Sequence, residues 1–173
     1  MLDMMGINFT AVSIDMDEII NANQSPVENV KRIALEKCNL ALAEIDEGIV
    51  ITADTIVVID GNIIGKPNSK AHAKKILNTL SGKSHFVYTG FSISNKNKNK
   101  TITDYSKTKV TFKKLAAKEI SDYIKTGSPM DKAGAYGIQD DFGAVFVEKI
   151  SGCYYNVIGF PVSKIYQALK KIA

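Results

Sequence analysis

The chain has 173 residues, 45% of them hydrophobic and 23% charged, with a net charge of +4. That length bounds one domain with room for a sizeable core, and the mild charge suits a small polyanion while falling short of the basic stripe of a nucleic-acid binder. Cys38 and Cys153 form neither a disulfide framework nor a metal-ligand pair, which points to a reducing cytoplasm. No apolar run approaches the roughly 20 residues that cross a bilayer, and no basic-then-apolar leader opens the chain, so neither membrane insertion nor secretion is expected.

Leu2, Met4 and Met5 read as the tail of a helix closed by Gly6, with residues 7–14 extended after it. Asp15, Asp17 and Glu18 follow, a cluster that is ordinarily a solvated loop and becomes a metal-ligand set only with a second anchor. Ser25-Pro26-Val27-Glu28 is a capping box with proline at the first helical position. Val27, Val30, Ala34, Cys38 and Ala41 recur at helical spacing behind it, Lys31, Glu36 and Glu44 face solvent, and Lys37 flanks the stripe, placed either to snorkel or to reach a ligand.

Residues 48–67, GIVITADTIVVIDGNIIGKP, read as a buried strand, a tight Asp60-Gly61 turn and a return strand ending at Lys66. Asp54 interrupts the apolar run. A carboxylate inside a strand costs free energy unless a cation or hydrogen bonds compensate it, so Asp54 is either a side chain bonding to its own neighbourhood or a functional acid. Gly61–Lys66 imitates a P-loop, but it has one residue too few between its glycines, and Pro67 replaces the Ser/Thr that would hold Mg²⁺.

Ser69 caps a second helix carrying Ala73, Ile76, Leu77 and Leu80 and ended by Ser81-Gly82. Residues 84–95 and 101–112 read as strands joined by the polar tract 96–100, a solvated hairpin loop. Residues 116–126 form a short helix closed by Gly127. Residues 128–141 are a loop dense in special residues, 142–150 a strand, 151–156 a turn. Pro161 opens a last helix with Val162, Ile165, Tyr166 and Leu169 inward. His72 and His85 fit structural or surface roles. The mixture without strict βαβ alternation predicts an α/β or mixed α+β fold with one mixed, twisted sheet flanked by helices. What remains for chemistry is carboxylates, lysines and backbone amides, the toolkit of metal-assisted attack on phosphate.

Asp17-Glu18, Lys37, Ala53-Asp54-Thr55, Gly65-Lys66-Pro67, Ser81-Gly82, Thr89-Gly90, the run from Asp131 to Gln139 (DKAGAYGIQ) and the run from Asn156 to Pro161 (NVIGFP) resemble the Maf family of nucleotide pyrophosphatases over nearly the whole chain. The resemblance implies two lobes with a central cleft, in the manner of Maf and ITPase proteins. It implies hydrolysis of a nucleoside triphosphate, dTTP or UTP or a modified pyrimidine nucleotide, to the monophosphate and pyrophosphate with Mg²⁺ or Mn²⁺.

Asp54 matches the family's proton acceptor, and Glu18, Lys37 and Lys66 match residues lining the phosphate and metal site, with Glu18 and Asp54 on the metal. Thr55 and Gln139 match positions bearing on base choice, and Asp131 and Lys132 belong to the same substrate loop. Family members open with a short strand and a Ser-x-Ser-Pro-Arg-Arg phosphate loop that this sequence lacks, so residues 1–173 are expected to be a single domain truncated at its N-terminus relative to the family. The expected partner is the nucleotide, with no nucleic acid or membrane, and a homodimer is allowed. The alternative is a nucleotide-binding, division-control protein without catalysis; a nucleic-acid binder ranks third.

Overall fold

The capping box starts the first long helix of the computed structural model, which describes residues 1–139 and 142–173. Ser25 Oγ accepts the Glu28 N–H at 3.2 Å and Glu28 Oε2 accepts the Ser25 N–H at 2.7 Å. Two donors that the first helical turn would leave unpaired are thereby satisfied. Helix α1 (Pro26–Ala43) buries Val30, Ile33, Ala34, Cys38 and Ala41, together with a polar residue, Asn29.

Strand β1 (Ile49–Ile59) turns through Asp60 (φ 49°) and Gly61 (φ 81°), both left-handed as a tight hairpin requires, into β2 (Asn62–Ile64), with Val58 opposite Ile63. Helix α2 (Lys70–Leu80) is capped by Ser69 and buries Ala73, Ile76, Leu77 and Leu80. Then come β3 (Ser84–Asn95), β4 (Lys100–Phe112) and α3 (Ala117–Lys125), the last closed by Gly127 at φ 81°. Strand β5 (Val147–Ser151), α4 (Tyr154–Ile158) and α5 (Val162–Ile172) finish the chain. Among the described residues the strands form one sheet in the order β2-β1-β3-β4-β5, antiparallel at both outer pairings. The fold is mixed α/β, as the pattern predicts.

Four readings need correction. Residues 142–146 form a 3₁₀ helix and only Val147–Ser151 is strand. Gly143 and Phe146, the buried pair of that stretch, are three apart, a helical spacing that a strand would put on opposite faces. The expected turn at 151–156 runs into α4, which aims the Asn156 amide at Val87 O and Thr108 Oγ1, each at 3.0 Å. In α5 the buried stripe is Ile165, Ala168 and Ile172, with Leu169 half-buried and packed against it as expected, while Tyr166 is 44% exposed. The first half of β1 is not fully buried; Ile49 is 40% exposed, and burial is complete only over Ile56–Ile59. Asp140 and Asp141, the end of the expected 128–141 loop, lie outside the described residues.

The chain divides into two compact units. The first comprises Met1–Asp54, Thr89–Ser106 and Gly159–Ala173, the second Thr55–Tyr88 and Lys107–Ile158. The first has a small core in which Phe91 and Ile93 meet Ile165, Ala168 and Ile172. It also has a close approach at Gly90, where an added Cβ would lie 2.2 Å from the Val30 carbonyl oxygen, so β3 meets the backbone of α1 only because this residue has no side chain. The second has a larger, aromatic core built on Phe112, Tyr123, Tyr136 and Phe146 with Leu77, Leu80 and Val110. Among the described residues no helix is long and apolar enough to cross a membrane.

Candidate active site

Asp54 sits in β1 of the first unit with 8% of its surface exposed. The cation that compensates it is Lys37, whose Nζ donates to Asp54 Oδ1 at 2.8 Å and to Glu18 Oε1 at 2.6 Å. Lys37 leaves the flank of α1 with its own side chain 16% exposed, so its stem is covered and its ammonium is the part in use. Burial pulls the Lys37 ammonium down, but the hydrogen bonds to Asp54 and Glu18, with their charges, outweigh it and hold its pKa above the ordinary lysine value. Lys37 is therefore charged throughout the neutral range, and the two acids converge on it.

The position of Glu18 depends on residues that sequence reading passed over. Asn29, fully buried on α1, accepts the Asn21 N–H at 2.8 Å through Oδ1. It donates through Nδ2 to the carbonyls of Asn21, Gln24 and Ser25. Arg32, one turn further, donates to Ile19 O and to Gln24 Oε1 and braces itself on Glu36. These bonds tie down the segment that follows Asp17-Glu18, which has no regular structure of its own. The legible signal is an asparagine standing among the apolar positions of a capped helix. Asp15 and Asp17 stay exposed, as a solvated loop would leave them.

The second unit carries the other expected residues. Thr55 is the next residue of β1, and Lys66 lies exposed after β2. Gly65 O accepts the Gly134 N–H at 3.2 Å, so the Gly65-Lys66-Pro67 turn and the 131–139 loop are joined directly. Asp131 accepts from Lys132 Nζ at 2.8 Å, and that bond, aided by the field of Lys66, holds its carboxyl below the ordinary range. Lys132 also donates to Ser128 O and Oγ. Gln139 is exposed at the end of the described loop.

The loop's backbone is unusual. Gly134 (φ 73°) and Ala135 (φ 57°) are both left-handed, and a Cβ at Gly134 would lie 2.8 Å from Val57 Cγ2. Thus Glu18, Lys37 and Asp54 are brought together in one unit, and Lys66, Asp131 and Lys132 in the other.

A divalent cation fits the donor set of the first unit in kind. Glu18 and Asp54 supply hard carboxylate oxygens within hydrogen-bonding reach of a single atom, the Lys37 nitrogen. Among the described residues no group of three or more His, Cys, Asp or Glu completes an all-protein cage. One or two carboxylates completed by water and phosphate oxygens is the ordinary Mg²⁺ arrangement.

The mixed α/β architecture, with carboxylates and ammonium groups clustered in each unit, places the chain among mixed α/β proteins. Comparison with known proteins narrows that class. The chain belongs to the Maf family, described as Maf-like protein, which matches residues 1–172. Among its relatives are three proteins named dTTP/UTP pyrophosphatase. That of Bacillus cytotoxicus is 44% identical over 171 residues, covering 99% of this chain and 88% of the relative. That of Clostridium tetani is 46% identical over 170 residues, covering 95% and 87%. That of Chlorobaculum tepidum is 46% identical over 176 residues, covering 99% and 88%.

Proposed function

We propose that this chain is a nucleoside triphosphate pyrophosphatase that hydrolyses dTTP and UTP to the monophosphate and pyrophosphate. The observation that carries the proposal is the buried Asp54 held by Lys37, which also binds the exposed Glu18, in a chain 44–46% identical to proteins bearing that activity in their names. In this reading Asp54 takes a proton from the water that attacks the α-phosphorus. The pyrophosphate leaves with the electrons of the broken P–O bond. Lys37, bonded to Oδ1, fixes the carboxylate's orientation before the proton arrives.

Glu18 and Asp54 are the residues that would hold Mg²⁺ or Mn²⁺, which supplies charge neutralisation on the phosphates and lowers the pKa of a bound water. Lys37 and Lys66 oppose the negative charge that builds on the leaving group, since phosphoryl transfer asks the protein mainly for positioning and electrostatics. Thr55 and Gln139 read the base, and Asp131 and Lys132 bind the substrate from the same loop as Gln139. Cytoplasmic residence fits two cysteines that are both free thiols.

A pyrophosphate-release assay with Mg²⁺ or Mn²⁺, run on dTTP, UTP, CTP and GTP, tests the proposal. Turnover of dTTP and UTP well above the other two is the expected result. Binding of dTTP without turnover by any nucleotide would overturn it in favour of a non-catalytic nucleotide binder.

A further inference from the structure

His85 takes no part in the chemistry above, yet it is 1% exposed at the start of β3 in the second unit. Its Nε2 lies 2.8 Å from the hydroxyl of Tyr136, itself 6% exposed. The two partners and Phe112 form a mutually packed trio of rings. His85 meets Phe112 edge-on at 5.0 Å and Tyr136 at 5.4 Å, and Phe112 meets Tyr136 at 4.7 Å. The other imidazole nitrogen, Nδ1, is buried with no partner among the described residues. An unpaired buried polar atom costs free energy, so a phenylalanine would serve a purely apolar core better at this position.

What the histidine secures is the loop. Tyr136 directly follows the two left-handed residues, Gly134 and Ala135. A non-glycine residue held there persists only where its surroundings over-determine it. Three tertiary bonds do so: Gly134 N to Gly65 O at 3.2 Å, Gly137 N to the Tyr123 hydroxyl at 3.1 Å, and the Tyr136–His85 bond between them. The third is the one fastened to the central sheet from inside the core.

We infer that His85 is a positioning residue for the 131–139 loop: through the Tyr136 hydroxyl it sets the backbone that presents Asp131, Lys132 and Gln139 to the nucleotide. The inference rests on the pyrophosphatase reading for its kinetic consequence but not for its structural one. If the loop reads the base, loosening it weakens substrate binding and discrimination while leaving the Glu18–Lys37–Asp54 chemistry intact.

The full-length chain carrying Tyr136→Phe, His85→Phe or His85→Gln tests this in two ways. Tyr136→Phe and His85→Phe should raise KM for dTTP and UTP about five- to tenfold, the scale of one lost hydrogen bond. They should leave kcat within about threefold and narrow the preference over CTP. His85→Gln, whose amide reaches the place of Nε2, should restore KM. Independently of turnover, amide hydrogen exchange over residues 133–139 should accelerate in both disrupting variants while α3 exchanges as in the wild type.

Unchanged loop exchange overturns the inference, as does a loss of stability with KM unmoved or a Gln variant that behaves like Phe. If His85→Phe does not fold, Tyr136→Phe, which removes a single oxygen, carries both measurements. If wild-type protein releases no pyrophosphate, the functional reading falls and the exchange measurement alone decides the latch.

Discussion

The two units of this molecule solve different problems with different materials. In the first, acids outnumber Lys and Arg eleven to nine, a net charge of −2; in the second the basic residues prevail thirteen to seven, a net charge of +6. The first sets its buried acid on regular elements, Asp54 on β1 and Lys37 on α1, so each side chain is aimed by backbone hydrogen bonding. The second sets its charged residues on 3₁₀ turns and a left-handed kink, and it stiffens that loop from beneath with aromatic rings. A buried charge has to be met at one fixed point, which helix and strand provide. A surface that closes around a ligand's edges calls for loops, and loops need a core to pin them.

The largest expected effect breaks the comparison at its first term. Asp54→Asn should lower pyrophosphate release by about 10²–10⁴, the usual contribution of a positioned base, with the thermal midpoint little changed. Near-wild-type turnover would remove Asp54 from the chemistry.

A pair of glycine substitutions sharpens it next. In Gly90→Ala the new Cβ meets the α1 backbone at 2.2 Å, which only a shift of the helix relieves, so a loss of about 3 kcal/mol or more is expected. In Gly134→Ala the obstacle is the Val57 side chain at 2.8 Å plus a left-handed φ, and the expected loss is about 1–3 kcal/mol. Denaturant unfolding of both should rank them in that order, and the reverse order would contradict the distinction between a backbone and a side-chain obstacle.

A third test uses pH. Burial holds His85 at about 4, against an ordinary 6.5, so in the fold it stays neutral where the unfolded chain has already taken a proton. Its contribution is complete above pH 6.5 and is lost as pH falls towards 4, about 3 kcal/mol in all. Tyr136, the titratable group facing it, is pushed up by burial and stays protonated across that window. Urea midpoints at pH 7 and 4.5 should therefore converge in His85→Gln relative to the wild type; an equal acid loss in both would assign the effect elsewhere.

The smallest effect lies in the polar hairpin tract. Lys96 donates to Leu42 O at the end of α1, and Lys98 and Lys100 donate to Ala173 O and Lys171 O at the end of α5. Replacing all three with Gln should cost about 1–2 kcal/mol, a few tenths to one per helix-terminal cation. No change in the melting of the first unit would return the tract to the role of a merely solvated loop.

Much of this molecule is local, and the sequence alone determined it. The Ser25 capping box, the Asp60-Gly61 turn, the Ser69 cap and the buried stripe of α2 depend on residues within a turn of one another, so their patterns are readable without a fold. Asp54 stood out for a similarly local reason, a charge inside an apolar strand. The 3₁₀ stretch at 142–146 is not legible in this way, because five apolar or small residues satisfy strand and helix patterns equally until a partner surface chooses between them.

What only tertiary structure decided is how charges and polar atoms separated in sequence are paired. Lys37 and Asp54 are 17 residues apart, Asn29 and Asn21 eight, His85 and Tyr136 fifty-one. A side chain's partner across such distances is set by the packing of whole elements, and no periodicity in the sequence encodes it. Lys37 could snorkel or bind until α1 and β1 were placed together; their packing settled it on two carboxylates, because in that position the buried acid leaves the ammonium no better place to be.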